Sequence, residues 1–157
     1  MAKKPFFNFI MLIKQKIILN SILLSTTVFI LDFISKYFIK NNKITYQSKT
    51  LGIIQHFNHG SIANIPIPIN LISIASILAL IILIIIFIQE IKSQNKIEAY
   101  TLSILISGAL GNLIDRLIHQ YVFDWILIFN ISIINIADIA ITIGAIGYLY
   151  LKIKKDT

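Results

Sequence analysis

The sequence predicts an all-α membrane protein, built as a bundle of about four transmembrane helices. Of its 157 residues, 57% are hydrophobic and only 13% are charged, whereas soluble domains carry about 25% charged residues. The mean hydropathy is +0.83, and so short a chain could not hide this much apolar surface in a soluble core. Four apolar stretches cover residues 17–38, 69–88, 99–114 and 136–151. Residues 1–157 are therefore expected to form one membrane-embedded domain, with outer loops at 39–68 and 115–135.

The four stretches differ in how clearly they predict a membrane span. Residues 69–88 carry no charge and give the clearest signal. The first stretch contains Asp32 and Lys36 near its end. It is interpreted as a retained helix, because no small-residue cleavage site of a signal peptide follows it. The third and fourth stretches are short for a hydrocarbon layer of about 30 Å, which leaves the ends of those helices undefined.

The distribution of basic residues predicts the orientation. With four spans, one side of the membrane receives nine of the 14 Lys and Arg residues, namely Lys3, Lys4, Lys14, Lys16, Lys92, Lys96, Lys152, Lys154 and Lys155. The other side receives Lys36, Lys40, Lys43, Lys49 and Arg116. Because cytoplasmic loops carry the excess of basic residues, both termini are expected to be cytoplasmic. The net charge of +7 is interpreted as anchoring to membrane lipids, and no nucleic-acid partner is expected.

Four carboxylates are expected to lie together at the outer membrane boundary: Asp32, Asp115, Asp124 and Asp138. Ionisable groups at membrane depth are costly and tend to face a bundle interior or a water-filled cavity. Four of them at one level therefore indicate a functional site. Glu90, Glu98 and Asp156 fall at the cytoplasmic helix ends, where they are expected to be solvated.

Local spacing suggests a role for several of these groups. Asp32 and Lys36 are spaced i, i+4 and can form an ion pair on one helix face. Asn135 and Asp138 fit the N-cap and N3 positions of the fourth helix, and capping alone would explain Asp138. Asp124 lies among apolar residues, so its pKa should be raised.

Paired carboxylates in a poorly hydrated site can add water to an amide, because one keeps a proton while the other accepts one. The chain has no cysteine, which excludes disulfides, thiol catalysis and Cys-ligated metals. His56, His59 and His119 form no HExxH motif and no helical i, i+4 pair, so neither a metal nor another cofactor is expected. Carboxylates beside Lys36 and Arg116 also fit a proton- or cation-coupled transporter, and a non-enzymatic membrane scaffold is a third possibility.

Four blocks of the sequence resemble the lipoprotein signal peptidase (signal peptidase II) family, in order and in spacing. They are Asp32-Phe33-Ile34-Ser35-Lys36, Asn58-His59-Gly60, Gly108-Ala109-Leu110-Gly111-Asn112-Leu113-Ile114-Asp115-Arg116 followed by Asp124, and Asn135-Ile136-Ala137-Asp138. One departure is Ser61-Ile62-Ala63, where the family usually has Ala-Ala-Phe. It bears on the shape of the pocket rather than on the chemistry.

The resemblance implies an aspartic endopeptidase that removes signal peptides from prolipoproteins carrying a diacylglyceryl group on the cysteine. Asp124 and Asp138 match the family's catalytic pair, which activates a water molecule. Positions that line the substrate pocket match Asn58, Asn112, Arg116 and Asn135, and supporting positions match Asp32, Lys36 and Asp115.

The resemblance also implies a location and a fold. The four-helix bundle should carry a small extracytoplasmic β-cradle, to which residues 44–57 contribute. The protein should reside in the bacterial cytoplasmic (inner) membrane, with its active site at the outer face. It is expected to act as a monomer on prolipoprotein substrates with a lipidated cysteine.

Overall fold

A computed structural model describes residues 3–60 and 67–156 of the chain, with side chains from residue 9 to residue 155. The helices of this described part are α1 (Lys3–Asn42), α2 (Ile69–Lys92), α3 (Lys96–His119) and α4 (Ile136–Asp156). Its strands are β1 (Tyr46–Gln47), β2 (Leu51–Asn58), β3 (Val122–Ile128) and β4 (Ser132–Ile134). All four helices are long and apolar enough to cross a membrane. The predicted four-helix membrane protein is confirmed.

All four helices run beyond the apolar stretches that predicted them. The third helix extends from Lys96 to His119, although its apolar stretch covers only residues 99–114. The first helix likewise begins before residue 17 and ends after residue 38. Long basic side chains at helix ends reach water while their aliphatic stems remain against apolar surface. A stretch defined by hydrophobicity alone is therefore shorter than the helix.

Helix α3 is the centre of the bundle and packs against α1, α2 and α4. Its contact with α1 is polar: Ser25 Oγ donates to the carbonyl of Ser103 at 3.0 Å, and Ser107 Oγ donates to the carbonyl of Ser25 at 2.6 Å. Small residues allow helix backbones in membranes to approach closely, and serine hydroxyls can hydrogen-bond across the contact. The other three helices present much of their apolar surface outward.

The contact between α3 and α4 depends on glycine. A methyl group on Gly144 would lie 2.7 Å from both the backbone nitrogen of Leu105 and the carbonyl oxygen of Thr101. We expect Gly144→Ala to lower the free energy of unfolding by about 1–3 kcal/mol through overpacking, measured by unfolding in detergent. Gly147→Ala is the matched control, because its methyl group would meet only the Thr101 side chain. Equal stability of the two variants would contradict this account of the helix contact.

The bundle has two chemically different ends. Asn20 of α1 donates to the Tyr100 hydroxyl near the start of α3 at 2.9 Å. Asp32, further along α1, accepts a hydrogen bond of 2.9 Å from the backbone N–H of Ala137 at the start of α4. Helices α1 and α3 therefore run in one direction and α4 in the other. The start of α3 and the end of α4 meet at one end of the bundle, and the aspartates lie at the opposite end.

The strands form one antiparallel sheet in the order β1-β2-β3-β4. The expected contribution of residues 44–57 is confirmed, since β1 and most of β2 fall in this segment. Strands β3 and β4 come from residues 115–135, which were expected to form a loop. The run Val122–Ile128 is rich in β-branched and aromatic residues, a composition that favours strands. Asp124 is thus held on a strand rather than on a loop.

The expectation that Glu90 and Glu98 are solvated is wrong. The two side chains are only 6% exposed. Glu90 accepts an ion-paired hydrogen bond of 2.6 Å from Lys152, and Glu98 pairs with Lys155. The last turns of α4 bring these lysines over the α2–α3 connection, which buries the carboxylates and neutralises them. The side chain of Asp156 lies outside the described residues.

Candidate active site

The start of α4 is closed by a reciprocal pair of hydrogen bonds. Asn135 Oδ1 accepts the backbone N–H of Asp138 at 2.8 Å, and Asp138 Oδ2 accepts the backbone N–H of Asn135 at 3.1 Å. This is the arrangement of a capping box, with Asn135 at the N-cap and Asp138 at N3. The predicted capping positions are confirmed. The cap also fixes the direction in which the Asp138 carboxylate points.

The same asparagine binds the second aspartate. Asn135 is completely buried, and its Nδ2 donates to Asp124 Oδ1 at 2.6 Å and to Asn112 Oδ1 at 3.1 Å. The other oxygen of Asp124, Oδ2, accepts a hydrogen bond of 3.0 Å from Asn58 Nδ2. Asp124 and Asp138, which are 14 positions apart in the printed sequence, therefore contact one shared residue.

Asp124 is buried, with 1% of its surface exposed. Burial raises the pKa of Asp124 to about 6, and the negative charge of Asp138 acts in the same direction. The hydrogen bonds from Asn58 and Asn135 oppose this shift without cancelling it. The sequence-based expectation of a raised pKa is confirmed. The raised pKa makes the protonated form of Asp124 easier to reach, which suits a proton donor.

Asp138 has the opposite surroundings. It is half-buried at the N-terminus of α4, where the helix dipole favours negative charge. Its Oδ1 accepts a hydrogen bond of 2.7 Å from Asn112 Nδ2, in addition to the backbone N–H that Oδ2 accepts. Both carboxyl oxygens of Asp138 are thus held in place by hydrogen-bond donors. Two carboxyl groups in different environments can divide the roles of acid and base.

A lysine with two carboxylate partners supports this pair from α1. Lys36 Nζ lies 2.6 Å from Asp32 Oδ2, which confirms the predicted i, i+4 pair, and 2.8 Å from Asp115 Oδ2. It also donates to Asn112 Oδ1 at 3.3 Å. Because Lys36 and Asn135 both donate to that oxygen, the Asn112 amide is turned so that its nitrogen faces Asp138.

Arg116 brings a positive charge to the same end of the bundle. Its Nη1 donates to the backbone carbonyl of Asn112 at 3.3 Å, and its guanidinium interacts electrostatically with Asp138, Asp124 and Asp115. Its Nε is buried and has no hydrogen-bond partner among the described residues. A buried donor without a partner is uncommon and costly.

A cavity of about 280 Å³ lies beside the supporting residues, between α1 and α3. Asp32, Lys36 and Asp115 line it together with aromatic side chains such as Phe33 and Phe123. The residues that line this cavity do not include Asp124 or Asp138. A molecule in this cavity would therefore contact the supporting residues and not the two carboxyl groups Asp124 and Asp138.

Within the described residues, the histidine side chains form no hydrogen bond with the carboxylates of the cluster. His56 and His59 are exposed, and His59 Nδ1 lies 3.3 Å from the carbonyl oxygen of Gln120. Among residues 3–60 and 67–156, no group of three or more His, Cys, Asp or Glu side chains could hold a metal ion.

All nine candidate residues meet in one connected cluster. Its members are Asn58, Asn112, Arg116, Asn135, Asp124, Asp138, Asp32, Lys36 and Asp115. Two backbone features that hold the cluster together were not predicted from the sequence. The N–H of Ala137 binds Asp32, and a methyl group on Gly111 would lie 3.2 Å from Asp32 Oδ2. Both residues lie inside the family motifs quoted above. In these motifs a small residue next to a polar one indicates that another part of the chain approaches the backbone closely. Residues 61–63, where the sequence departs from the family pattern, lie outside the described residues.

The fold and this cluster define a class of protein: a multi-pass membrane enzyme whose candidate chemistry rests on carboxyl groups held by amides. Comparison with known proteins identifies the family. The family model described as Signal peptidase (SPase) II matches residues 24–154. The chain belongs to the signal peptidase II family and is therefore a peptidase.

Individual relatives and solved structures agree with this assignment. The lipoprotein signal peptidase of Pasteurella multocida is 31% identical, over 91% of this chain and 93% of the relative. That of Bartonella quintana is 30% identical, over 87% of this chain and 75% of the relative. A bacterial membrane enzyme solved by the in meso method at 2.3 Å matches with a TM-score of 0.78 and 31% identity, covering 88% of this chain and 90% of that one. The transporter and scaffold hypotheses are set aside in favour of the peptidase.

Proposed function

We propose that this protein removes signal peptides from diacylglyceryl-modified prolipoproteins by activating a water molecule between Asp124 and Asp138. The observation that carries the proposal is the position of Asn135, which hydrogen-bonds to both aspartates. Family membership supports prolipoprotein as the substrate class. All residues of the cluster come from a single chain, which supports a monomeric enzyme.

The different surroundings of the two carboxyl groups suggest their roles. Asp138, ionised at the helix N-terminus, takes a proton from the water as it attacks the scissile carbonyl carbon. Asp124, protonated in its buried site, donates its proton to the carbonyl oxygen. When the tetrahedral intermediate collapses, the C–N bond breaks and the proton on Asp138 passes to the leaving amine. One hydroxyl proton of the former intermediate passes to Asp124 as the carboxylic acid product forms. Both aspartates thereby regain their starting protonation states.

The remaining groups of the cluster position the reactants. The guanidinium of Arg116, which interacts electrostatically with Asp138 and Asp124, is a suitable donor to a carbonyl oxygen of the substrate backbone. Asn112 and Asn135 keep the two carboxyl groups oriented. Substrate binding excludes more water, which strengthens each electrostatic interaction within the site.

The distribution of lysines supports an orientation. The nine-lysine end of the bundle lies opposite the carboxylate cluster, as the contacts of α1 and α4 require. By the excess of basic residues on the cytoplasmic side, both termini are cytoplasmic and the site opens at the outer face of a bacterial cytoplasmic membrane.

The test is cleavage of a diacylated prolipoprotein by the purified protein in detergent, with and without a metal chelator. We expect cleavage before the lipidated cysteine, at the same rate with the chelator. A matched substrate with serine in place of that cysteine, which cannot carry the lipid, should not be cleaved. Chelator-sensitive cleavage would reject the two-aspartate mechanism, and equal cleavage of both substrates would reject the lipidated substrate class.

A further inference from the structure

A second polar site lies at the end of the bundle opposite the aspartates. A cleft of about 510 Å³ opens between the start of α3 and the end of α4. Lys96, Lys154 and Lys155 line it, together with Ile97 and Leu151. Its position is independent of the proposed peptidase chemistry.

The cleft has an excess of positive charge. Lys155 is neutralised, because it pairs with Glu98 and donates to Asn95 Oδ1 at 3.0 Å. Lys96 and Lys154 are exposed, and neither forms an ion pair with a carboxylate among the described residues. Lys96 and Lys154 thus give the cleft two positive charges. The carboxylate that lines it, Glu98, already pairs with Lys155.

The surface around the cleft is apolar. Ile97, which lines the cleft, is 61% exposed, and Tyr150, four residues before Lys154 on α4, is 63% exposed. Both residues belong to segments long and apolar enough to cross a membrane. A ligand in this cleft would therefore contact the cationic groups of Lys96 and Lys154 and, beside them, apolar surface that faces the lipid.

We infer that this cleft binds the headgroup of an anionic glycerophospholipid. The phosphate lies at Lys96 and Lys154, and an acyl chain follows the apolar surface beside Ile97. Basic pockets between transmembrane helices are suited to anionic lipid headgroups. An RNA or an acidic protein would match the charge but not the apolar surface. A bound lipid would bridge the start of α3 and the end of α4.

Native mass spectrometry of the intact protein, released from micelles doped with phosphatidylglycerol or phosphatidylcholine, tests the inference. We expect retained phosphatidylglycerol, and an apparent affinity about 30-fold weaker in the double variant Lys96→Gln/Lys154→Gln. Phosphatidylcholine retention should be the same in both proteins. The matched control is Lys43→Gln/Lys49→Gln, which removes two exposed lysines from the other end of the bundle and should leave phosphatidylglycerol retention unchanged.

Three outcomes would overturn the inference. Unchanged phosphatidylglycerol retention in the cleft variant would remove the site. Equal losses in both double variants would mean that retention follows total charge rather than the cleft. Displacement of phosphatidylglycerol by millimolar glycerol 3-phosphate would identify a site for free phosphates instead of a lipid site. None of these outcomes depends on peptide cleavage, so they do not bear on the proposed peptidase function.

Discussion

Replacing either Asp124 or Asp138 with asparagine is expected to lower the rate of prolipoprotein cleavage by on the order of 10³-fold. Asparagine has nearly the same shape as aspartate, so the contacts with Asn135 are largely kept. The asparagine amide does not gain or lose a proton near neutral pH, and both proposed roles require proton transfer. Single-turnover cleavage with saturating enzyme measures this loss separately from substrate binding.

The matched control is Asp115→Asn, which makes the same chemical change on a carboxylate that pairs with Lys36. Because Asp115 supports the site without a direct hydrogen bond to Asp124 or Asp138 among the described contacts, its loss should reduce the rate much less. If Asp124→Asn or Asp138→Asn kept more than a tenth of the native rate, neither carboxyl group could hold the role assigned to it.

The stability of the protein should fall by about 2 kcal/mol as the pH rises from 4 to 7, because of Asp124 alone. The pKa of Asp124 is raised to about 6 from its ordinary value of 3.8. Between these values the unfolded chain releases this proton while the folded protein keeps it, which favours unfolding. The stabilisation is therefore complete below about pH 4 and is lost as the pH rises through about 6. Unfolding in detergent at a series of pH values measures the effect.

Other groups also titrate in this range, so the comparison is between the native protein and Asp124→Asn. The variant has no carboxyl group at this position. Between pH 4 and pH 7 its free energy of unfolding should therefore fall less than that of the native protein, and the difference should equal the contribution of Asp124. Parallel curves for the two proteins would mean that Asp124 is not protonated in the folded state. The same substitution thus has two readouts, one kinetic and one thermodynamic.

Much of the fold could be predicted because the membrane imposes simple requirements on a sequence. Spans such as residues 69–88 must be apolar over their whole length, and backbone groups in lipid must be satisfied within helices. The pairing of Asp32 with Lys36 and the cap formed by Asn135 and Asp138 were also predictable, because both depend on spacings of three or four residues along one helix.

Features that depend on distant parts of the chain could not be predicted in this way. The burial of Glu90 and Glu98 requires lysines that follow far later in the chain, at the end of α4. Likewise, the hydrogen bond from Asn58 to Asp124 depends on the antiparallel pairing of β2 with β3. Nothing local to Asn58 indicates which residue it contacts, and only the family resemblance grouped it with the aspartates.

The central claim is that one water molecule reaches both Asp124 and Asp138. The most direct measurement is an experimental structure with a non-cleavable substrate analogue that carries a hydroxyl group at the scissile position. The account predicts this hydroxyl oxygen about 2.6–3.2 Å from a carboxyl oxygen of each aspartate. A hydroxyl group bound to only one of them, or to other residues altogether, would contradict it.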